Sequence, residues 1–358
     1  MTLSPYLQSV LGLLLLFAGG DLLVRGASRL ARVLGISPLV VGLTVVAFGT
    51  SAPEAAVSVK ASFAGTPGLA LGNVVGSNIF NILFVLGLTA LIAPIPIHRQ
   101  LIRLDLPVMM GASLLVCLLS LNGTLGVAEG IVLLAALAAY VLHLVRQGRD
   151  APGATPSRSD LPPPPTRATG VGRPFLDVGL VLLGLATLVV GADQLVDGSV
   201  SVARRFGASE LVIGLTLVAA GTSLPELSTS VVAAIRGERE IAVGNVVGSN
   251  IFNLLFVLGA TSVVAPGGIP VAQGALTFDL PVMAGVALAC FPVFLTGRMI
   301  SRWEGGIFFL YYGIYLTLLL VDAAGHDARD LLWNAVLVFV LPLTAVTALL
   351  GWWRAKAV

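Results

Sequence analysis

One segment of this chain occurs twice. Residues 42–81 read GLTVVAFGTSAPEAAVSVKASFAGTPGLALGNVVGSNIFN, and residues 214–253 repeat them without a gap, with 25 of 40 positions identical. Each copy is an apolar stretch interrupted by Gly-Thr-Ser-x-Pro-Glu and followed by a second apolar stretch that carries GNVVGSNIFN. The chain must therefore fold as two related halves, each of which accommodates a glutamate within apolar sequence.

The composition places these halves in a lipid bilayer. Of the 358 residues, 57% are hydrophobic and 11% are charged, whereas an ordinary soluble domain has about 25% charged residues. Apolar runs long enough to cross a hydrocarbon core of about 30 Å recur along the whole chain. We predict eleven spans, at residues 6–32, 38–62, 69–93, 104–121, 126–146, 175–204, 210–235, 241–265, 278–297, 303–322 and 330–353.

A polar, proline-rich segment separates the two halves. Residues 149–174 contain four consecutive prolines among Ser, Thr, Gly and Arg, which is typical of a disordered or polyproline II linker. We predict a first transmembrane repeat over residues 1–148, this linker, a second repeat over 175–322 and an extra C-terminal transmembrane helix over 323–358. Because each repeat has an odd number of spans, five, the second crosses the membrane in the opposite sense. The expected fold is an all-α integral membrane protein built from two inverted-topology five-helix repeats, an arrangement found in secondary transporters.

Basic residues predict the orientation. With the N-terminus outside, sixteen Lys and Arg residues fall on the inner side of the predicted spans and four on the outer side. Cytoplasmic loops of membrane proteins carry such an excess. We therefore predict a multi-pass protein of the inner (plasma) membrane, with the N-terminus outside and the central linker and C-terminus in the cytoplasm.

The two glutamates of the repeated motif demand compensation. Glu54 and Glu226 fall near the middle of their spans, where an ionised carboxylate costs about 3 kcal/mol or more unless it is paired. Neither copy offers a Lys or Arg at the same depth, so a transported cation is the economical partner. The alternative, a protonated structural carboxyl, does not explain why a whole set of polar neighbours is duplicated with each glutamate.

Oxygen-bearing side chains surround each glutamate. Pro53 and Pro225 lack the N–H that would bond four residues back, so each helix is expected to open near its glutamate. The candidate ligands are Thr50, Ser51, Glu54, Ser77 and Asn81 in the first copy and Thr222, Ser223, Glu226, Ser249 and Asn253 in the second. Hard oxygen donors without His or Cys favour Ca²⁺ and Na⁺ over zinc or copper.

Other polar residues receive structural interpretations. Asp105 and Asp279 precede Leu-Pro and are expected to cap helices. Asp21 and its equivalent Asp193 are interpreted as hydrogen-bonded structural residues, with a place on an ion path as the alternative. Ser51 and its counterpart have no buried His or Lys partner, which argues against an intramembrane hydrolase, and the chain is not expected to be an enzyme.

The motifs resemble those of a known family. GTSAPE and GTSLPE, each followed by GNVVGSNIFN, are similar to the α-repeats of sodium/calcium exchangers in the calcium/cation antiporter superfamily. The resemblance covers about ten of the eleven predicted helices. It implies four clustered cation sites formed by the ten candidate side chains, with backbone carbonyls of Ala47 and Ala219 added. It also implies alternating access, in which the first and sixth helices slide across the remaining core.

Some members of that family have an aspartate where this chain has Asn253, so the present site has two carboxylates, which one Ca²⁺ can neutralise. We expect an antiporter that exchanges Ca²⁺ for Na⁺; the alternatives are exchange against H⁺ and a passive channel. The expected partners are inorganic cations and the lipid bilayer. We expect no cofactor and no nucleic acid, and a monomer.

Overall fold

The computed structural model describes residues 4–150, 174–208, 210–213, 216–217, 219–295 and 297–323. The predicted eleventh span and nearly all of the predicted linker lie outside this part of the chain. Nine of the described helices are long and apolar enough to cross a membrane. The predicted all-α membrane fold is confirmed.

The first half contains five helices. They are α1 (Pro5–Leu34), α2 (Pro38–Phe63), α3 (Gly68–Ile92), α4 (Leu101–Asn122) and α5 (Val127–Asp150). The boundaries follow from local chemistry: the Ser37 hydroxyl accepts the Val40 N–H at the start of α2, and Gly35 ends α1 with a φ of 67°, a left-handed conformation that glycine adopts without strain.

The second half repeats this order. It contains α6 (Pro174–Arg205), α7, α8 (Arg239–Val264), α9 (Ala275–Leu295) and α10 (Arg302–Ala323). Helix α7 is described in three pieces, Glu210–Ile213, Ala219–Gly221 and Leu224–Ile235.

Four two-residue strands in the described part of the chain confirm that the halves are inverted. They are β1 (Ile95–Pro96), β2 (Thr124–Leu125), β3 (Ile269–Pro270) and β4 (Met299–Ile300). Strand β1 pairs with β4 and β2 pairs with β3, both antiparallel. In the repeat, β1 is equivalent to β3 and β2 is equivalent to β4. Strand β1 therefore pairs with the counterpart of β2, and β2 pairs with the counterpart of β1. This crossed pairing requires the two halves to run through the membrane in opposite directions.

Helices α1 and α6 contact each other backbone to backbone. Glycines recur every seventh residue on both helices, at equivalent positions of the repeat: Gly12, Gly19 and Gly26 on α1 and Gly184, Gly191 and Gly198 on α6. A Cβ placed on Gly19 would lie 2.8 Å from the Leu188 backbone nitrogen, and one on Gly184 would lie 2.6 Å from the Leu23 nitrogen. Such small-residue contacts let membrane helices approach closely, and they join α1 and α6 along their length.

Helices α3 and α8 form the centre of the molecule. In α8, 94% of the most apolar stretch is buried, compared with 17% in α10 at the periphery. A cluster of apolar side chains from both halves surrounds the two central helices, with Ile79 and Ile251 at equivalent positions and fully buried. The polar residues of the duplicated motif therefore lie within a tightly packed interior.

The capping prediction for Asp105 is wrong. Residues Leu101–Asp105 are already helical, in a wide π-type turn that continues into Leu106–Leu119, and the Asp105 carboxyl makes no cap hydrogen bond. It instead accepts a hydrogen bond from the Tyr140 hydroxyl at 2.9 Å. The second half repeats the contact, with the Tyr315 hydroxyl 3.5 Å from Asp279 Oδ1. The aspartates thus tie α4 to α5 and α9 to α10.

Candidate cation-binding site

Both motif helices are interrupted at the predicted place. In α2 the helix ends at Thr50, Ser51 has a φ of −80° and a ψ of 1°, and a new helix begins at Ala52. In α7, Ser223 has nearly the same conformation, with a φ of −92° and a ψ of 7°. The proline lies in the first turn of each new helix, where its missing N–H costs nothing.

The two interruptions bring side chains of opposite halves into contact. Ser223 Oγ donates to Glu54 Oε1 at 3.0 Å, and the hydroxyl oxygens of Thr50 and Ser249 are 3.2 Å apart. All four residues are buried. The predicted ligands of the two motifs therefore form one cluster.

The two carboxyl groups lie within electrostatic reach of each other. Glu54 and Glu226 are both fully buried, and the charge of Glu54 acts on Glu226. Thr222 and Ser77 also lie beside the Glu54 carboxyl. Among the described residues, no Lys or Arg forms an ion pair with either glutamate.

Much of the polar cluster has no protein partner. Within the described part of the chain, several fully buried oxygen and nitrogen atoms make no hydrogen bond: Ser51 Oγ, Glu54 Oε2, Ser77 Oγ, both carboxyl oxygens of Glu226 and the whole side-chain amides of Asn81 and Asn253. A buried polar group without a partner costs about 1–3 kcal/mol, and a buried charge costs more. The donor set therefore fits cations, which would satisfy several oxygens at once.

The second helix of each motif contributes from a matched position. Asn81 and Asn253 each begin a π-type turn, over Asn81–Leu86 in α3 and Asn253–Val257 in α8. Such turns within helices are frequent at functional sites. Both asparagines and the serines four residues earlier are buried.

The backbone positions Ala47 and Ala219 differ from each other. The Ala47 carbonyl accepts the Ser51 N–H at 3.0 Å and the Thr50 hydroxyl at 3.3 Å. In the second copy the Ser223 N–H bonds to Ala220 instead, at 3.1 Å. Ala47 is fully buried, whereas Ala219 is exposed. The two carbonyls therefore do not lie in equivalent environments.

Sequence analysis missed two asparagines that organise the cluster. The Asn73 amide nitrogen donates to the Glu54 main-chain carbonyl at 3.3 Å, and the Asn245 amide nitrogen donates to that of Glu226 at 3.3 Å. Both residues are the first asparagine of GNVVGSN and are identical in the two copies. Because the same asparagine recurs in both copies, the sequence could have identified these two residues.

The chemistry of the cluster is that of a hard-cation site. In the part of the chain that is described, no three His, Cys, Asp or Glu side chains gather into one metal-binding group. Hydroxyl, amide and carboxylate oxygens around two carboxylates suit ions such as Ca²⁺ and Na⁺. These ions would be the substrate and not a resident cofactor.

A comparison of family models identifies the chain. The model of the family described as sodium/calcium exchanger protein matches residues 4–146 and 176–321. The chain belongs to the sodium/calcium exchanger family. The two matched ranges leave out most of the predicted linker, and they end before the predicted eleventh span.

Individual relatives agree with this assignment. The chain is 34% identical to the sodium/calcium exchanger MaX1 of Methanosarcina acetivorans, an alignment that covers 88% of this chain and 98% of the relative. It is 41% identical to the inner membrane protein YrbG of Escherichia coli over 73% of this chain and 80% of the relative. Among solved structures, the sodium-calcium exchanger NCX_Mj soaked with zero Na⁺ and Ca²⁺ matches with a TM-score of 0.74 and 33% identity, covering 88% of this chain and 98% of that one. The chain is therefore a multi-pass membrane transporter of a cation-antiporter family.

Proposed function

We propose that this protein exports Ca²⁺ in exchange for Na⁺ across the cytoplasmic membrane. The observation that carries the proposal is the pair of interacting, fully buried carboxylates, Glu54 and Glu226, for which no described Lys or Arg provides charge compensation. One Ca²⁺ neutralises both carboxylates. Na⁺ ions, two per pair of charges, can do the same.

The proposed ligands are the ten clustered side chains. They are Thr50, Ser51, Glu54, Ser77 and Asn81 from the first half and Thr222, Ser223, Glu226, Ser249 and Asn253 from the second. The carbonyls of Ala47 and Ala219 complete the proposed set. The Ala47 carbonyl would exchange its long hydrogen bond from Thr50 for a cation.

Strict exchange follows from charge compensation. Two ionised carboxylates are costly in the membrane interior, so the protein reorients at an appreciable rate only when cations neutralise them. Because both ions use the same carboxylates, loading one on either side of the membrane requires releasing the other. A ligand changes the balance of two conformations only through its different affinity for them, and inversion of the halves supplies two related conformations.

The orientation and assembly remain part of the proposal. The excess of basic residues supports an N-terminus outside and a linker and C-terminus in the cytoplasm. The similarity to an Escherichia coli inner membrane protein supports the cell inner membrane. We propose that the repeats over residues 1–148 and 175–322 form the transport unit of a monomer.

The test is calcium uptake into proteoliposomes under an outward Na⁺ gradient. Glu54→Gln and Glu226→Gln are each expected to reduce the initial uptake rate at least about 100-fold, because a neutral amide no longer balances the ion charge. Glu129→Gln and Glu304→Gln are matched controls: these glutamates occupy equivalent positions and accept the N–H groups of Gly126 and Ser301, respectively. Normal uptake by either motif variant would contradict the proposal.

The same vesicles separate the alternatives. Protons can also neutralise two carboxylates that have no basic partner, so H⁺ is the second candidate counter-ion. Uptake driven by a pH gradient in Na⁺-free vesicles would identify it. Calcium flux that requires no counter-ion would indicate a channel.

A further inference from the structure

Both polar atoms of the Asn73 side chain make hydrogen bonds. Its amide nitrogen donates to the Glu54 main-chain carbonyl at 3.3 Å and to Ser58 Oγ at 3.0 Å. Its Oδ1 accepts the hydroxyl of Thr222 at 3.2 Å. The first two contacts lie within its own half, and the third crosses to the other half.

Asn245 repeats the arrangement in the opposite direction. Its amide nitrogen donates to the Glu226 carbonyl at 3.3 Å and to Ser230 Oγ at 3.0 Å. Its Oδ1 accepts the hydroxyl of Thr50 at 3.1 Å. Each asparagine therefore holds the glutamate segment of its own half and a predicted ligand of the other half.

The backbone contact fixes which way each amide points. A carbonyl oxygen can only accept a hydrogen bond, so the amide nitrogen must face Glu54 in one half and Glu226 in the other. Oδ1 is then left to face the threonine, and it has no proton to give. In these two hydrogen bonds the threonine is therefore the donor: the Thr222 hydroxyl gives its proton to Asn73, and the Thr50 hydroxyl gives its proton to Asn245 in place of the Ala47 carbonyl or Ser249 Oγ.

That commitment determines what the threonines can bind. A hydroxyl has one proton and two lone pairs. Asn245 Oδ1 is nearer to Thr50 Oγ1 than the Ala47 carbonyl is, at 3.1 Å against 3.3 Å. Thr222 also lies within hydrogen-bonding reach of the Glu54 carboxyl. When the Thr222 proton is donated to Asn73, the hydroxyl and the ionised carboxylate present only lone pairs to each other. Two acceptors facing each other suit a cation.

We propose that Asn73 and Asn245 are positioning residues that orient the hydroxyls of Thr222 and Thr50 as cation acceptors, each acting across the boundary between the repeats. This inference rests on the proposed function, because it concerns ligands of the same cations. It adds that each half prepares a ligand of the other, so neither half-site is complete without its partner's asparagine.

Double-mutant cycles on Ca²⁺ binding test the pairing. The Kd is measured by equilibrium ⁴⁵Ca²⁺ binding to purified protein, and the maximal exchange rate is measured in proteoliposomes. Asn73→Ala is expected to raise the Kd about tenfold, with less than about a twofold change in maximal rate. Thr222→Val is expected to raise the Kd to a similar extent, and adding Asn73→Ala to it is expected to raise the Kd less than about twofold further. Asn245→Ala and Thr50→Val are expected to behave in the same way.

The crossed combinations are the matched controls. Asn73→Ala with Thr50→Val, and Asn245→Ala with Thr222→Val, join residues that share no hydrogen bond, so their effects on the Kd are expected to multiply. Asn78→Ala controls for loss of an asparagine from α3, because the Asn78 amide nitrogen bonds to Val74 within the same helix. If Asn73→Ala does not fold, Asn73→Ser replaces it, with a side chain too short to reach Thr222.

The inference is overturned if Asn73→Ala leaves the Kd unchanged. It is also overturned if the Asn73 and Thr222 effects multiply as the crossed controls do. These outcomes differ from failure of the proposed function: in that case the unsubstituted protein itself would show no Ca²⁺ exchange.

Discussion

The turns that follow the two motif helices have the same backbone and different charges. Residues 64–68 read AGTPG, and residues 236–240 read RGERE. Gly65 and Gly237 have φ values of 79° and 80°, and the next N–H in each turn bonds five residues back, at 3.0 Å and 2.9 Å. The repeat thus preserves the shape of the turn while only the second copy is charged.

The charged turn binds the neighbouring segments of the first half. Arg236 forms an ion pair with Asp21, which also pairs with Arg25 at 2.8 Å. Glu238 accepts the Ser28 hydroxyl at 2.5 Å. These contacts connect α1 to the end of α7. The first turn, residues 64–68, has no charged side chain with which to do the same.

The comparison separates two kinds of symmetry. At the centre of the site the hydrogen bonds of Asn73 and Asn245 are matched between the halves, although the Ser223–Glu54 hydrogen bond and the contacts of the Ala47 carbonyl are not. The periphery is not matched, because α1 is attached to the turn on only one face, which we predict to be cytoplasmic. Hydrogen bonds to charged groups contribute about 1.5–3 kcal/mol, enough to favour one conformation about tenfold or more.

Reversing the charge of the turn should have the largest effect. Arg236→Glu places two acids together beside α1 and is expected to lower the exchange rate about tenfold. Adding Asp21→Arg restores an ion pair and is expected to recover most of the rate. Ala64→Glu, at the equivalent position of the neutral turn, is the control and should change the rate less than about twofold. Failure of the double variant to recover any activity would show that the pair has no such role.

Removing the ion pair between Asp21 and Arg236 should have a smaller effect, measured as the access of a thiol reagent to the end of α7. Asp21→Asn leaves Arg236 without its carboxylate, so α1 should separate from the turn more often. In a background without native cysteines, Ala234→Cys is expected to react about threefold faster with a membrane-impermeant thiol reagent when Asp21→Asn is present. Ser62→Cys, at the equivalent position beside the neutral turn, should react at an unchanged rate. Equal acceleration at both cysteines would indicate general loosening.

Loss of the Ser28 hydroxyl should have a weaker effect. Ser28→Ala removes the hydrogen bond to Glu238, which is worth about 1.5–3 kcal/mol at most because one partner is charged. We expect about a twofold faster reaction in the same thiol assay. Ser9→Ala is the control on the same helix, because the Ser9 hydroxyl bonds to Pro5 within α1. An effect of equal size from both variants would count against the contact with the turn.

The smallest effect concerns pH. The hydrogen bond from His98 to Glu240, at 2.9 Å, raises the pKa of His98. A raised histidine pKa gives stability that is fully present below the unfolded value and is lost as the pH rises through the folded value. The side chain is 48% exposed, so the effect on stability should be small.

Melting in detergent from about pH 5.5 to 8.5 measures this contribution. The melting temperature is expected to fall slightly more with rising pH in the native protein than in His98→Gln. Ala272→His is the control, because Ala272 is the counterpart of His98 and Gly68 is the counterpart of Glu240. The added histidine should produce no comparable slope. If the melting temperature depends on pH equally in the native protein and in His98→Gln, the hydrogen bond of His98 makes no contribution to stability.

The sequence predicted the parts of the molecule that are duplicated. Repetition identified Glu54 and Glu226 as equivalent, and the prolines located the interruptions. The odd number of spans per half implied inversion, which the strand pairs confirm. Hydrophobic periodicity is a local property of a sequence, and an internal repeat is found by comparing the chain with itself. A single sequence therefore contains both signals.

Contacts between distant, unequal partners could not be predicted in this way. The carboxyl of Asp21 meets Arg236, which is 215 positions away and has no counterpart in the first half. Asp105 looked like a cap because Leu-Pro follows it, but the helix begins earlier and Tyr140 takes the carboxyl. The glycines of α1 and α6 were visible at heptad spacing, yet only the packing shows that they face each other's backbone.

The paired strands have one more consequence. One short strand pair joins the halves at each face of the membrane: one contains Ile95 and Ile300, and the other contains Leu125 and Ile269. Because these two strand pairs join the halves at opposite ends, the peptide segment between the repeats is not needed to keep them together. Cutting the chain between residues 149 and 174 should therefore leave its two pieces assembled.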